Sequence, residues 1–229
     1  MSAVLVLLGD CAEHDAGMVC ARAAEVLGVD GVSAGLGTGP QGAVLAWGRN
    51  AAGVALEELE FTLGLGPGLE AVAQGVPVLV TDVEMQSSRW PGFVPGALDL
   101  KIRAVFAFPL RIGAISVGAL TAHRATPGPL ADGQVADALA LAEAVTVLLL
   151  DRASQGTGSG PSRPRPGWGQ PPTYRAEVHQ ATGMISAQLG VSLAEALVRL
   201  RAHAYSRERA ITDVAADVVA RRLRFETPQ

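Results

Sequence analysis

Residues 37–42 read Gly-Thr-Gly-Pro-Gln-Gly, the spacing at which a glycine-rich turn can lay backbone amides against a dinucleotide pyrophosphate. That chemistry needs a helix N-terminus directly after the glycines. Here Ala-Val-Leu-Ala-Trp-Gly follows, a strand-like run, and Pro40 suits a turn, so the segment reads as a hairpin loop. Cys11, His14 and Cys20 carry metal-ligating side chains. At about 100° per residue on a helix, Cys20 stands about 180° from Cys11, and the three cannot close on one ion. No metal or cofactor is therefore expected. The histidines, His14, His123, His179 and His203, are scattered, and no Gly-x-Ser-x-Gly turn offers a nucleophile, so the chain is expected not to be an enzyme.

Two further groups could bind rather than react. Trp47, Phe61, Trp90 and Phe93 hold four of the chain's aromatic side chains and are candidates for the wall of a small-molecule pocket. Packing on the core is the competing role for such rings. The second group is arginine. Arg175, Arg199, Arg201, Arg207, Arg209, Arg221, Arg222 and Arg224 crowd the last 55 residues. Guanidinium groups grip phosphate bidentately and stack on bases. Arg221, Arg222 and Arg224 also suit a helix C-terminus, where the dipole favours cations whatever the partner.

The charge distribution separates these two groups. The chain has 229 residues and a net charge of −4. Residues 1–162 carry −8 and residues 163–229 carry +4, so the tail is the surface suited to a polyanion. Residues 154–172 hold five Pro and five Gly in 19 positions with no hydrophobic period, the composition of a linker. The expected division is 1–153, linker 154–172 and tail 173–229. Two Cys exclude a disulfide framework. No signal peptide or membrane-length apolar run is seen, and the chain is expected to be soluble and cytoplasmic, away from membranes.

The elements that must position these residues follow from periodicity. In the first part, helical spacing covers 12–27, 51–62, 69–74 and 130–152, while 29–36, 43–48 and 76–81 read as strands. Ala104 to Leu110 and Ala114 to His123 form a hairpin about Arg111-Ile112-Gly113. Trp90-Pro91-Gly92-Phe93 reads as a loop. This order predicts an α+β domain with a mostly antiparallel sheet flanked by helices. The tail predicts three helices. The first starts at Thr173, with Tyr174, Val178, Ala181, Ile185 and Leu189 as its stripe, and Gly190 ends it. Ser192-Leu193-Ala194-Glu195 is a capping box for the second, which buries Ala196, Leu197, Leu200 and Ala204. Ile211, Val214, Ala215, Val218 and Phe225 face inward in the third.

The run Arg175-Ala-Glu-Val178-His-Gln-Ala181-Thr182-Gly183-Met184, followed by Leu189-Gly190, Glu195-Ala196, Leu200-Arg201, Ala204 and Ala215, resembles an ANTAR domain across 173–225. The first part resembles a GAF domain across about 10–150. Glu58-Leu59-Glu60-Phe61-Thr62-Leu63-Gly64-Leu65-Gly66-Pro67, Arg89 to Phe93, Ala104 to Leu110, Leu120 and Pro127 to Leu130 carry that likeness. The resemblance implies a signal-transduction regulator of transcription antitermination. Its tail would bind paired stem-loops in leader RNA as a homodimer, and its first domain would sense a small molecule or supply the dimer contact. It places the RNA face on Arg175, Thr182, Gly183, Arg199, Arg201, Arg207 and Arg209. The sequence departs from the family at Thr182, where many ANTAR sequences have Lys, and at Gly68, where related GAF sequences often have Cys. The alternative is a regulator whose tail docks a protein partner.

Overall fold

The computed structural model describes residues 16–36, 45–47, 50–155, 168–169, 173–207 and 209–226. The glycine-rich turn at 37–42, Cys11, His14 and most of the Pro/Gly segment lie outside the described residues.

The described elements are α1 (Ala16–Leu27), β1 (Gly31–Leu36), β2 (Leu45–Trp47), α2 (Ala51–Leu63), α3 (Pro67–Gln74), β3 (Val78–Val80), a 3-10 turn (Val83–Gln86), α4 (Phe93–Asp99), β4 (Ala104–Ile112), β5 (Ile115–Arg124), α5 (Asp132–Gln155), β6 (Trp168–Gly169), α6 (Thr173–Leu189), α7 (Leu193–Ser206) and α8 (Ile211–Val219). The strands form one sheet in the order β3-β4-β5-β1-β2-β6, and every neighbouring pair is antiparallel. The architecture is α+β, as the pattern predicted.

β4 shows why its sequence is apolar on nearly every residue. Side chains alternate across a strand. Ala104, Phe106, Phe108 and Leu110 join the core with Leu27 of α1 and Leu141 and Val145 of α5. Val105 and Ala107 point the other way, into a core with Leu56, Ala71, Trp90, Phe93 and Ile102. Both faces are covered, so the strand cannot alternate apolar with polar. The β4–β5 hairpin closes about Gly113, with Ile112 opposite Ile115.

The structure differs from the sequence reading in two places. The segment read as a loop around Trp90 to Phe93 runs into α4. Pro95 lies in that helix's first turn, where a missing N–H breaks no intrahelical bond. The Pro/Gly segment also contributes β6, which pairs Trp168 with Trp47 and Gly169 with Ala46.

α6, α7 and α8 make the three-helix bundle. Val178, Ala181, Ile185, Ala196, Leu197, Leu200, Ala204, Ile211, Val214, Ala215 and Val218 form its core. Ser192 caps α7 by accepting from the Glu195 N–H at 3.2 Å.

Candidate functional site

The arginines of the tail are set out by α7 and the turn that follows it. Arg199 and Arg201 bracket buried Leu200, and at about 100° per residue they leave the helix in different directions. Arg199 turns back along α7 and pairs with Glu195 at 2.7 Å. Arg207 and Arg209 are both exposed in the connection to α8. Arg209 shares the carboxylate of Asp217 with Arg222, at 2.7 and 2.8 Å. Those two hydrogen bonds hold the Asp217 carboxyl below the usual carboxylate range. His203 lies nearby with its ring edge-on to Phe225, 5.2 Å between centroids. Burial first, and then the charges of Arg207 and Arg209, push its imidazole below the ordinary value.

Helix α6 places the other expected residues differently. Arg175 lies in its first turn. Gly183 is half-buried, and a Cβ there would meet no atom within 4 Å, so the backbone is open to close approach. Thr182 is buried in the bundle, and its hydroxyl donates to the Val178 carbonyl at 2.7 Å. In this arrangement, 6% exposed and bonded within its own helix, it offers little surface to a partner.

Arg201 points away from these cations, toward the sheet domain. Its Nε–H donates to the carbonyl oxygen of Phe61 at 2.9 Å. Phe61 is in the last turn of α2, whose final carbonyls have no intrahelical partner and which carries the negative end of the helix dipole. The guanidinium carbon is 5.4 Å from the centre of the Phe61 ring, within the range of a cation–π contact worth about 0.5–2 kcal/mol. Gly64 ends α2 at φ +70, and a Cβ there would come within 2.7 Å of Arg201 Nη1. The missing side chain is the space that the guanidinium fills. Burial pulls the Arg201 guanidinium below its ordinary value. Beside this contact lies a cleft of about 450 Å³ lined by Thr62, Leu63, Leu65 and Gly92 on one side and Val198, Ala202 and Tyr205 on the other.

The four aromatic candidates do not gather around one cavity. Phe61 is 4% exposed and packs into the core of the tail bundle, with Leu200 and Ala204. Trp90 and Phe93 are packed edge-on at 5.9 Å inside the sheet-domain core. In this arrangement they serve as packing. Trp47 lies on β2 next to β6.

One buried group went unread in the sequence. Glu60 of α2 sends its carboxyl to the start of α3, where it accepts from the Gly68 N–H at 2.8 Å. Burial, with the charge of Glu57 adding to it, pushes this carboxyl up to about 8 against the opposing pull of the Gly68 bond. A Cβ at Gly68 would fall 2.5 Å from Glu60 Oε2. Glycine at 68 is therefore matched to the glutamate at 60. The available signal was the buried stripe Gly53, Leu56 and Glu60, at spacings of three and four.

The comparisons with known proteins fit these two folded parts. A GAF domain family model matches residues 16–149, and an ANTAR domain model matches residues 173–219. Among curated proteins, none matches the chain significantly. Solved structures similar to it include the GAF domain of a phosphoenolpyruvate-protein phosphotransferase from Acinetobacter (12% identity, 68% of this chain and 95% of that one, TM-score 0.49). The corresponding domain from Coxiella burnetii is also similar (15% identity, 68% and 97%, TM-score 0.48). So is a free methionine-R-sulfoxide reductase from Neisseria meningitidis (18% identity, 67% and 89%, TM-score 0.48).

Proposed function

We propose, for a chain that belongs to the GAF domain family and carries an ANTAR domain behind it, that this regulator binds hairpin RNA through the tail bundle and so controls transcription antitermination. The observation that carries the reading is the ANTAR match over 173–219, which falls on a closed three-helix bundle in the arginine-rich part of the chain. The RNA face is assigned to Arg175, Gly183, Arg199, Arg207 and Arg209, with Arg201 joining it under the condition argued below. Arginine planes and an open backbone at Gly183 suit the unpaired loop bases by which RNA is read in sequence.

The division into a sensor domain (1–153), linker (154–172) and RNA-binding tail (173–229) belongs to the same proposal. So do a small-molecule ligand of the sensor and action in the cytoplasm, where transcripts are made. A homodimer is favoured by the apolar side chains exposed on and beside α5: Leu139, Val147, Ile112 and Ile115. Among the described residues no single helix is long and apolar enough to cross a membrane. The chain is read as a binding protein rather than an enzyme. Cys20, the one cysteine among the described residues, is buried in the core beneath the sheet and is poorly placed for thiol chemistry.

The test is a gel-shift titration of the full chain on an RNA with two tandem short-loop hairpins, against a control with scrambled loops. Selective binding that weakens steeply with salt is expected, because each phosphate contact releases counterions. Binding that ignores the loop sequence would overturn the reading. A salt-insensitive complex with a protein partner, and none with RNA, would favour the docking alternative.

A further inference from the structure

The guanidinium of Arg201 is already spoken for. It donates to the C-terminal end of α2, lies over the Phe61 ring, and occupies the space left by Gly64. Phe61 in turn is buried among Leu200, Ala204 and the other side chains of the tail bundle, although it belongs to a helix of the sheet domain. One residue from each part is thus inserted into the other. The five donors of a guanidinium are fixed in one plane, so with Nε held at the part-buried Phe61 carbonyl and one face laid on the Phe61 ring, the direction of Arg201 is set by α2 and not by a partner.

We propose that the sheet domain gates the tail through this contact: Arg201 serves either the end of α2 or RNA, and α7 must leave α2 before the arginine face is complete. The inference rests on the RNA reading above. The closed form is the RNA-poor state, and opening it frees Arg201 to add a contact from its own side of α7 to those of Arg199, Arg207 and Arg209. In such an equilibrium the apparent affinity is lowered by the fraction of chains that are open. Any signal received by the sheet domain that shifts the end of α2 would therefore reach the RNA face without passing along the Pro/Gly linker.

The test alters the sheet-domain side alone, so that no proposed RNA contact is touched. Gly64→Asn keeps a residue that tolerates the left-handed conformation and drives its side chain into the Arg201 position. Phe61→Leu keeps an apolar, somewhat smaller side chain and removes the ring under the guanidinium, and serves if the first variant folds poorly. Hydrogen exchange on the full chain reports the latch: residues 61–65 and 198–205 lose protection when it opens. The tandem-hairpin titration reports the gate. Increased exchange in those two segments together with RNA affinity raised about tenfold is the expected result, the size for a wild type open in about one chain in ten. Unchanged exchange would overturn the latch. Increased exchange with RNA affinity equal to wild type would overturn the gate. Increased exchange with no RNA bound by either chain would overturn the RNA reading itself, and the gate with it.

Discussion

The carboxyl of Glu60 caps a helix to which it does not belong: it accepts the Gly68 N–H at 2.8 Å across the bend between α2 and α3. Gly66, the residue that would cap α3, has no side chain to do so, and Pro67 begins the helix without an N–H. Glu60 fills that role from inside the domain. Its burial there, one residue from Phe61 and Arg201's acceptor, puts a titratable group at the base of the junction between sheet domain and tail.

Stability is expected to fall as pH rises through this group. The folded chain holds the Glu60 proton up to about 8, whereas the unfolded chain releases it near 4.5. The stabilisation is fully present below the unfolded value and is lost as pH rises through the folded one, on the order of a few kcal/mol in total. Thermal melts of the full chain between pH 5 and 8.5 check this. Glu60→Gln keeps an acceptor without a charge, so its Tm is expected to be flat between pH 6.5 and 8.5 and higher than wild type at the alkaline end. A parallel slope in both chains would assign the pH dependence elsewhere.

Gly68→Ala is expected to destabilise the chain by about 1–3 kcal/mol, the range for forcing volume into a packed site. The added Cβ would sit 2.5 Å from Glu60 Oε2, and a buried, hydrogen-bonded carboxyl can retreat only by giving up its bond. Because the two residues compete for one space, the Glu60→Ala/Gly68→Ala pair is expected to cost less than the sum of its singles in denaturant melts. Additive costs would show that they do not share that space.

The sequence made much of the framework readable, and the failures have physical reasons. The 104–110 and 114–123 runs, the Ser192 cap and the Val178, Ala181, Ile185 stripe are local patterns, and each reappears in the structure. A glutamate on a helix carries no local mark of burial, and only contact with α3 makes Glu60 a cap. Arg199 and Arg201 are indistinguishable as neighbours of buried Leu200. The choice between an exposed ion pair and a buried carbonyl is made by a helix 140 residues earlier in the chain. Phe61, one of the chain's few aromatic side chains, suits a pocket wall or a core equally, and nothing local announces that it packs with the tail bundle.

His123 sets an opposite limit on the acid side. It is 3% exposed, lies across from Gly31 in the β1–β5 ladder, and its Nδ1 has no hydrogen-bond partner among the described residues. Burial lowers its imidazole below 6.5, with Asp30 opposing. A base whose folded value is depressed keeps its contribution above the unfolded value and loses it as pH falls, because the unfolded chain takes the proton first. Glu60 changes stability in the other direction over the same range, so the measurement belongs in the Glu60→Gln chain. There, Tm is expected to fall between pH 6.5 and 5, and an NMR titration is expected to show His123 staying neutral where an exposed histidine is already charged. An ordinary imidazole titration would contradict the burial.

Asp217 holds two arginines, one of which, Arg209, the RNA reading needs free. Its carboxylate pairs with Arg209 at 2.7 Å and with Arg222 at 2.8 Å. It is half-buried against two exposed arginines, and a surface pair of this kind contributes little to stability. Its larger effect is on charge. Asp217→Asn removes one negative charge from the arginine face and releases Arg209 from an ion pair that RNA phosphate must otherwise displace. The variant is expected to melt within a few degrees of wild type, to bind the tandem-hairpin RNA more tightly, and to show a salt dependence steeper by about one phosphate contact. It should do so without raising exchange in residues 61–65 and 198–205, because Asp217 acts on Arg209 and Arg222, cations already exposed, whereas Gly64→Asn acts on one that is held at the end of α2. If Asp217→Asn left both affinity and salt slope unchanged, Arg209 would not be part of the face, and the positive charge of the turn between α7 and α8 would have to be explained by the stability of the bundle alone.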